Sequence, residues 1–255
     1  MRVGRGWLSR SEAWPLIIGH RGDRARFPEN TVLAFRKAFQ AGADGIECDL
    51  QKTADDVYVV IHDADLGRGA GTPLSVGASR RDEIASVDVG LGQTVPDLRD
   101  TLDSVPAGGL LDLELKADTL GPEDCPRILA ILRDHIDASC LMVSSFEPAL
   151  LYPLRRQGVT VGLLLGSRAA EGGLSRLASL MAGLRPQYVN LPVQSLDVLG
   201  PKKAAMVFRA LRFFGARLLF WTVNAADALG EVSAHARAIV TDDVAWAVAS
   251  VREGV

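Results

Sequence analysis

The amino-acid sequence predicts a single eight-stranded (β/α)8 barrel. Three observations carry this: eight short β-branched or leucine-rich runs, helix-like stretches between them, and a length of 255 residues, close to the size at which such a barrel closes. The strand-like runs are 16–19, 45–50, 110–115, 141–145, 160–165, 188–191, 218–223 and 238–241. Helix-like stretches lie at 31–41, 126–135, 149–157, 174–184, 202–214, 226–235 and 244–252. This alternation implies βαβ units and a parallel sheet, and it also fits an open doubly wound sheet. It breaks between Val57 and Val105, where an extra apolar run at 57–61 precedes a Gly-rich loop, a short helix at 80–84 and a helix at 97–105. That stretch reads as a small insertion after strand 2, on the catalytic face. No Pro/Ser linker, low-complexity tract or internal repeat marks a boundary, so one domain is expected over 1–255.

Composition narrows the function classes. Hydrophobic residues make up 48%, enough for a sizeable core, and the formal net charge of −3 gives no global reason to expect nucleic acid. Any phosphate site must be local. Cys48, Cys125 and Cys140 are too few and too scattered for a disulfide framework or a paired-cysteine zinc site, which points to a reducing cytoplasm. The N-terminal stretch holds only a short apolar run at 15–18. No segment approaches the roughly 18 apolar residues of a membrane span, so neither a signal peptide nor stable membrane insertion is expected. The sequence leaves oligomeric state open.

Charged residues on strands that should be buried on both faces need an explanation. In Gly45-Ile-Glu-Cys-Asp-Leu50 the alternation of a strand puts Glu47 and Asp49 on one face and Cys48 and Leu50 on the other. Leu111-Asp-Leu-Glu-Leu-Lys116 repeats the pattern, with Asp112, Glu114 and Lys116 opposite the leucines. Crowded acids inside a barrel are costly unless compensated, either by a divalent cation on Glu47, Asp49 and Glu114 or by ion pairing to Lys116 or an arginine. An all-oxygen set favours Mg2+ or Ca2+ over Zn2+.

His20 closes the first strand and His62 follows the run at 57–61, both where barrel enzymes carry catalytic groups. Either alone reads as structural; two beside the acids read as functional. His135 and His235 lie in helix-like stretches and read as surface residues. Arg21 offers bidentate bonds to a phosphate, with Gly22 admitting the ligand close to the backbone; a solvated arginine is the alternative. Pro28-Glu-Asn-Thr31 is a helix start, with Asn30 or Thr31 as cap.

HRG at 20–22, PENT at 28–31, ExD at 47–49, HD at 62–63 and LELK at 113–116 occur in this order, followed by Val95-Pro96, Ser145-Phe146, Trp221-Thr-Val-Asn224 and Thr241-Asp242. The ordered set resembles the glycerophosphodiester phosphodiesterase family over about 16–248. The resemblance implies a TIM barrel that cleaves glycerophosphodiesters, small-molecule substrates, to glycerol phosphate and an alcohol. It further implies His20 and His62 as acid and base, and Glu47, Asp49 and Glu114 as metal ligands. Arg21 and Lys116 would contact phosphate, while Glu29, Asn224 and Trp221 would shape the mouth. The chain departs from the family's pattern in the run Leu66-Gly-Arg-Gly-Ala-Gly-Thr72, at Val244, and in a shortened loop before Ile239, all of which bear on substrate choice.

The expected chemistry needs a cation for the diester's charge and a histidine acid for the alkoxide leaving group, with water or the neighbouring glycerol hydroxyl as nucleophile. One rival is a lysophospholipase D or sphingomyelinase D-like enzyme of related fold, which would need apolar entrance loops that the sequence does not show. A second, of another class, is a non-catalytic barrel that binds phosphorylated ligands, for which an acid/base pair has no use.

Overall fold

The computed structural model describes residues 6–8, 14–166 and 173–253, so both ends of the expected 1–255 domain lie outside the described residues. The elements run β1 (Leu16–His20), α1 (Val32–Gln40), β2 (Gly45–Lys52), β3 (Tyr58–Val60), α2 (Gly67–Ala70), α3 (Arg81–Ala85), α4 (Leu98–Ser104), β4 (Leu110–Leu115), α5 (Cys125–His135) and β5 (Leu141–Ser145). They continue with α6 (Pro148–Arg156), β6 (Thr160–Leu164), α7 (Gly173–Leu184), β7 (Tyr188–Pro192), α8 (Gln194–Phe213), β8 (Arg217–Trp221), α9 (Ala226–Ser233), β9 (Ala238–Thr241) and α10 (Val244–Val248), the last running into a π-helical turn at Ala249–Glu253.

β1 pairs in parallel with both β2 and β9, which closes the eight parallel strands into a (β/α)8 TIM barrel and excludes the open doubly wound sheet. β3 is the one antiparallel strand among the described residues. It pairs with the end of β2 through Leu50↔Val60 and Lys52↔Tyr58, so β2 overhangs the rim and carries the insertion up from the face where the strands end. The insertion has its own small core of Val59, Leu66, Val76, Ile84 and Val95.

Alternate strand residues serve two cores. Outward residues such as Cys48, Leu50, Leu111, Leu113 and Leu115 pack under the helices, while Leu16, Ile18, Met142, Tyr188, Leu219 and Ala238 fill the barrel interior. Trp7, fully buried, plugs the end where the strands begin. Its indole N–H donates to the carbonyls of Leu111 (3.2 Å) and Cys140 (3.0 Å), its ring meets Tyr188 edge-on, and the Tyr188 hydroxyl donates to its carbonyl at 2.7 Å. Trp7→Ala is therefore expected to lower unfolding free energy by about 3–5 kcal/mol, read in urea melts, without touching the chemistry at the opposite end. An unchanged urea midpoint would show that the plug is idle.

The sequence expectation places the strands and most helices correctly. The span α8 is two helical pieces that meet at Gly200, whose φ of 67° is non-helical and readily adopted by glycine; the expected helix at 202–214 matches the second piece, and the first, from Gln194, is unexpected. That glycine, next to Pro201, hides the first turns from a periodicity reading. β8 ends at Trp221 rather than at 223 as expected, and α2 is a short helix inside the Gly-rich loop. The three cysteines are free and buried, and no helix among the described residues is long and apolar enough to cross a membrane.

Candidate active site

Strand parity and register build the acidic centre. Glu47 and Asp49 point inward from β2, and Asp112 and Glu114 point inward from the neighbouring β4, paired Glu47↔Asp112 and Asp49↔Glu114. Oxygen atoms of Glu47, Asp49 and Glu114 lie within 4.8 Å of one another. The backbone N–H of Arg21 donates to Glu47 Oε2 at 3.1 Å; Arg21 takes a left-handed φ of 54° just after β1, where the chain turns into this loop. Asn30 Nδ2 donates to Asp49 Oδ2 at 2.8 Å. The helix cap is thus Thr31, whose hydroxyl accepts from Ala34 N–H, and the adjacent Asn30 holds Asp49.

The electrostatics show what the centre lacks. Lys116 Nζ lies 2.7 Å from Glu114 and 3.0 Å from Asp49, and Arg21 Nε lies 3.2 Å from Asp49. Both cations are present, yet the acids outnumber them. Burial raises the Asp49 carboxyl, but Lys116 and Arg21 overcome this and hold it down at about 2. Burial and the neighbouring charge of Asp49 push Glu114 up to about 7, despite Lys116. Burial likewise lifts Asp112 to about 7, and burial with Asp49 and Glu114 raises Glu47 well above the usual range. The ion-pair explanation thus accounts for Asp49, compensates Glu114 only in part, and leaves Glu47 and Asp112 raised. A divalent cation fits the three convergent carboxylates and supplies the missing charge.

Each histidine is held by its own aspartate. His20, at the end of β1, has Nδ1 2.6 Å from Asp242 Oδ1, leaving Nε2 4.0 Å from Glu47. His62 Nδ1 lies 2.6 Å from Asp63 Oδ1, and Gln51 pins its loop by donating to the carbonyls of Ile61, His62 and Asp63. A carboxylate at Nδ1 places the ring hydrogen there and leaves Nε2 for proton exchange. Burial lowers the His62 imidazole below its ordinary value, with Lys116 and Arg21 adding to that and Asp49 opposing it.

His20, Arg21, Glu47, His62, Glu114, Lys116 and Trp221 all line one cavity of about 150 Å³, while Asp49 sits behind them at 1% exposure. All eight residues singled out in the sequence therefore converge. At Gly22 a Cβ would lie 2.6 Å from the Ala34 backbone, so the glycine lets this loop press onto α1. Asn224 buttresses Asp242 (Nδ2 to Oδ2, 2.8 Å) rather than forming the mouth by contact alone. His135 bonds the carbonyl of Ile131 in its own helix, and His235 faces Arg212, both far from the cavity in the fold.

Sequence reasoning missed the roles of Asp242, Asp63, Gln51 and Asn30. The first two had a signal, as charges where a strand enters a loop; Gln51 and Asn30 had none. It also missed the cavity's apolar side, where Leu164, Leu219 and Val240 sit beside Phe146 and Trp221, whose rings stack edge to face at 5.9 Å. The wall is drawn from β6, β8, β9 and the loop after β5, with no more than two side chains from any one of them, so no apolar run announces it.

The family model of the glycerophosphoryl diester phosphodiesterase family matches residues 20–246. A glycerophosphodiester phosphodiesterase of Caldanaerobacter subterraneus subsp. tengcongensis is 28% identical over 251 residues, covering 94% of this chain and 98% of that protein. Among solved structures, the glycerophosphodiester phosphodiesterase of Thermotoga maritima superposes with a TM-score of 0.80 at 26% identity, covering 93% of this chain and 99% of that one. A phosphodiesterase of Oleispira antarctica shares the fold, with a TM-score of 0.77 at 23% identity over 90% of this chain and 93% of its own. With the match running from His20 at the end of the first strand to Trp246 in the last helix, the chain belongs to the glycerophosphoryl diester phosphodiesterase family and is an enzyme of that class.

Proposed function

We propose that the chain hydrolyses glycerophosphodiesters to glycerol 3-phosphate and an alcohol, with His20 and His62 as the acid/base pair. One observation carries this reading: two imidazoles, each fixed at Nδ1 by a separate aspartate, line the same cavity as the converging carboxylates. A structural histidine has no use for that arrangement, and neither has a barrel that only binds.

Glu47, Asp49 and Glu114 would hold Mg2+ or Ca2+, which supplies charge neutralisation for the phosphoryl oxygens when bound. Arg21 and Lys116, the cavity's two fixed cations, grip the remaining phosphate oxygens. One neutral imidazole takes a proton from the attacking oxygen, water or the neighbouring glycerol hydroxyl. The new P–O bond forms as the P–O bond to the alcohol breaks, and the other imidazole, protonated, delivers its proton to the leaving oxygen; where the glycerol hydroxyl attacks, water then opens the resulting cyclic phosphate to glycerol 3-phosphate. Trp221 forms the wall against which the organic portion rests. One domain performs all of this, and a cytoplasmic site of action accords with three free, buried cysteines.

The Oleispira phosphodiesterase was solved with its product sn-glycerol-3-phosphate, which agrees with a glycerol phosphate occupying this barrel end. The apolar wall gives the lipid-directed alternative its one supporting observation. A cavity of about 150 Å³ is of the order of the glycerol phosphate moiety that both substrate classes share, so the preference for the soluble substrate rests on the sequence, which shows no apolar entrance loop. Glycerophosphocholine and glycerophosphoethanolamine are expected to release glycerol 3-phosphate with higher kcat/KM than lysophosphatidylcholine in the presence of Mg2+ or Ca2+. A clear preference for the lysolipid would move the enzyme to the lysophospholipase D reading, and no turnover of any of the three would sink both.

A further inference from the structure

Glu29 stands in the PENT helix start, yet it does not serve the helix. Thr31 is the cap, and every hydrogen bond and ion pair described for the Glu29 side chain goes to an arginine: Arg21 at 2.9 Å, Arg68 at 2.7 Å and Arg24 at 3.1 Å. Burial would raise this carboxyl, but Arg68, Arg21 and Arg24 together hold it below its ordinary value.

Each guanidinium reaches onward to a different acid of the active site. Arg68 Nε contacts Asp63 Oδ2, Arg24 Nε lies 3.6 Å from Asp242 Oδ1, and Arg21 Nε lies 3.2 Å from Asp49 Oδ2. Two of the arms then end on an imidazole, through Asp63 to His62 and through Asp242 to His20, each at 2.6 Å. The two arms thus share one layout, carboxylate to guanidinium to carboxylate to imidazole, and they share their first member. They also tie together three rim segments that have no other common anchor among the described residues: the loop between β1 and α1, the insertion at α2, and the turn after β9.

We propose that Glu29 is a positioning residue for both catalytic histidines, acting through Arg68 on the Asp63–His62 pair and through Arg24 on the Asp242–His20 pair. The inference rests on the acid/base reading above. Isolated exposed ion pairs contribute little to stability, so a network of this form is expected to act on geometry, where displacement of a reacting group by about an ångström is worth up to a hundredfold in rate.

The test is a non-additivity experiment on the Mg2+-loaded full chain, with glycerophosphocholine as substrate. Glu29→Gln keeps the shape and removes the charge; it is expected to lower kcat by on the order of tenfold or more at saturating Mg2+, with KM changed less than about threefold. In a His20→Ala/His62→Ala background the same change should cost less than about twofold, because nothing remains to be positioned. Arg68→Gln should lower kcat in the parent and not in His62→Ala; Arg24→Gln should do so in the parent and not in His20→Ala. These two single-arm variants decide the matter if Glu29→Gln fails to fold, since Arg68 is exposed and Arg24 only half-buried. The inference is overturned by a parent-like kcat for Glu29→Gln, by the full loss persisting without the histidines, or by a rise in KM alone, which would place Glu29 with the phosphate contact of Arg21. A near-normal kcat for the histidine variants themselves would overturn the acid/base reading instead.

Discussion

His20→Ala and His62→Ala are each expected to lower kcat by on the order of a hundredfold or more while leaving the fold and the carboxylate centre in place. The reason they should fold is visible in the partners left behind. Without His20, Asp242 still accepts from Asn224 and faces Arg24; without His62, Asp63 still faces Arg68. No carboxylate is orphaned, so thermal midpoints should move little. A packing histidine predicts the reverse, a lower midpoint with near-normal kcat in the folded fraction. The parent's rate should follow a bell-shaped pH profile, because one imidazole must be neutral and the other protonated. His62 is lowered from its ordinary value by burial, so its neutral form persists to lower pH, and the acid limb should fall below about 6.5 if His62 is the base. Measuring kcat, metal affinity and thermal midpoint on both variants tests the assignment, and parent-like kcat in both would refute it.

Removing the metal is expected to abolish turnover, with Mg2+ or Ca2+ restoring it, and to leave a characteristic trace in stability against pH. Glu114 and Asp112 have folded values of about 7, above those of the unfolded chain. Between pH ~4.5 and 7 the unfolded chain has released protons that the folded protein keeps, so the contribution of these groups to stability falls as pH rises. Asp49 runs the other way, but its contribution is lost only as pH falls toward about 2, outside that window. His62 and His235, both lowered by burial, also oppose the trend. Above pH 7 a divalent cation takes the place of the retained protons. The metal-free protein should therefore melt lower at pH 8 than at pH 5.5, and added Mg2+ should raise the midpoint more at pH 8. Glu114→Gln should weaken Mg2+ binding and shrink that increment. Full activity after exhaustive chelation would sink the cation assignment; an increment no larger at pH 8 would sink the electrostatic account of it.

What the sequence determined by itself was whatever depends on neighbours one to four positions away. Period-two alternation put Glu47 and Asp49, and Asp112, Glu114 and Lys116, on inward faces, because a strand buried on both sides tolerates charge only where something compensates it. Position at a strand end marked His20. The ordered motifs then tied these local signals to one family and one barrel. The tertiary structure decided everything set by closure and register. His20 meets Asp242 across 222 positions because β1 pairs with β9. Asp49 meets Glu114 because β2 pairs with β4, past an insertion whose own strand turns back antiparallel. Asn30 and Thr31 were equal candidates for a cap, and the left-handed turn at Asn30 (φ 55°) sent its side chain to Asp49 instead. Gln51 found its three carbonyls only once β3 had folded beside β2, and the apolar wall existed only once β6, β8, β9 and the loop after β5 had been brought together by closure of the barrel. Local alternation reports which way a side chain points; which side chains it then meets is fixed by pairings between distant strands, whose partners no short stretch of chain contains.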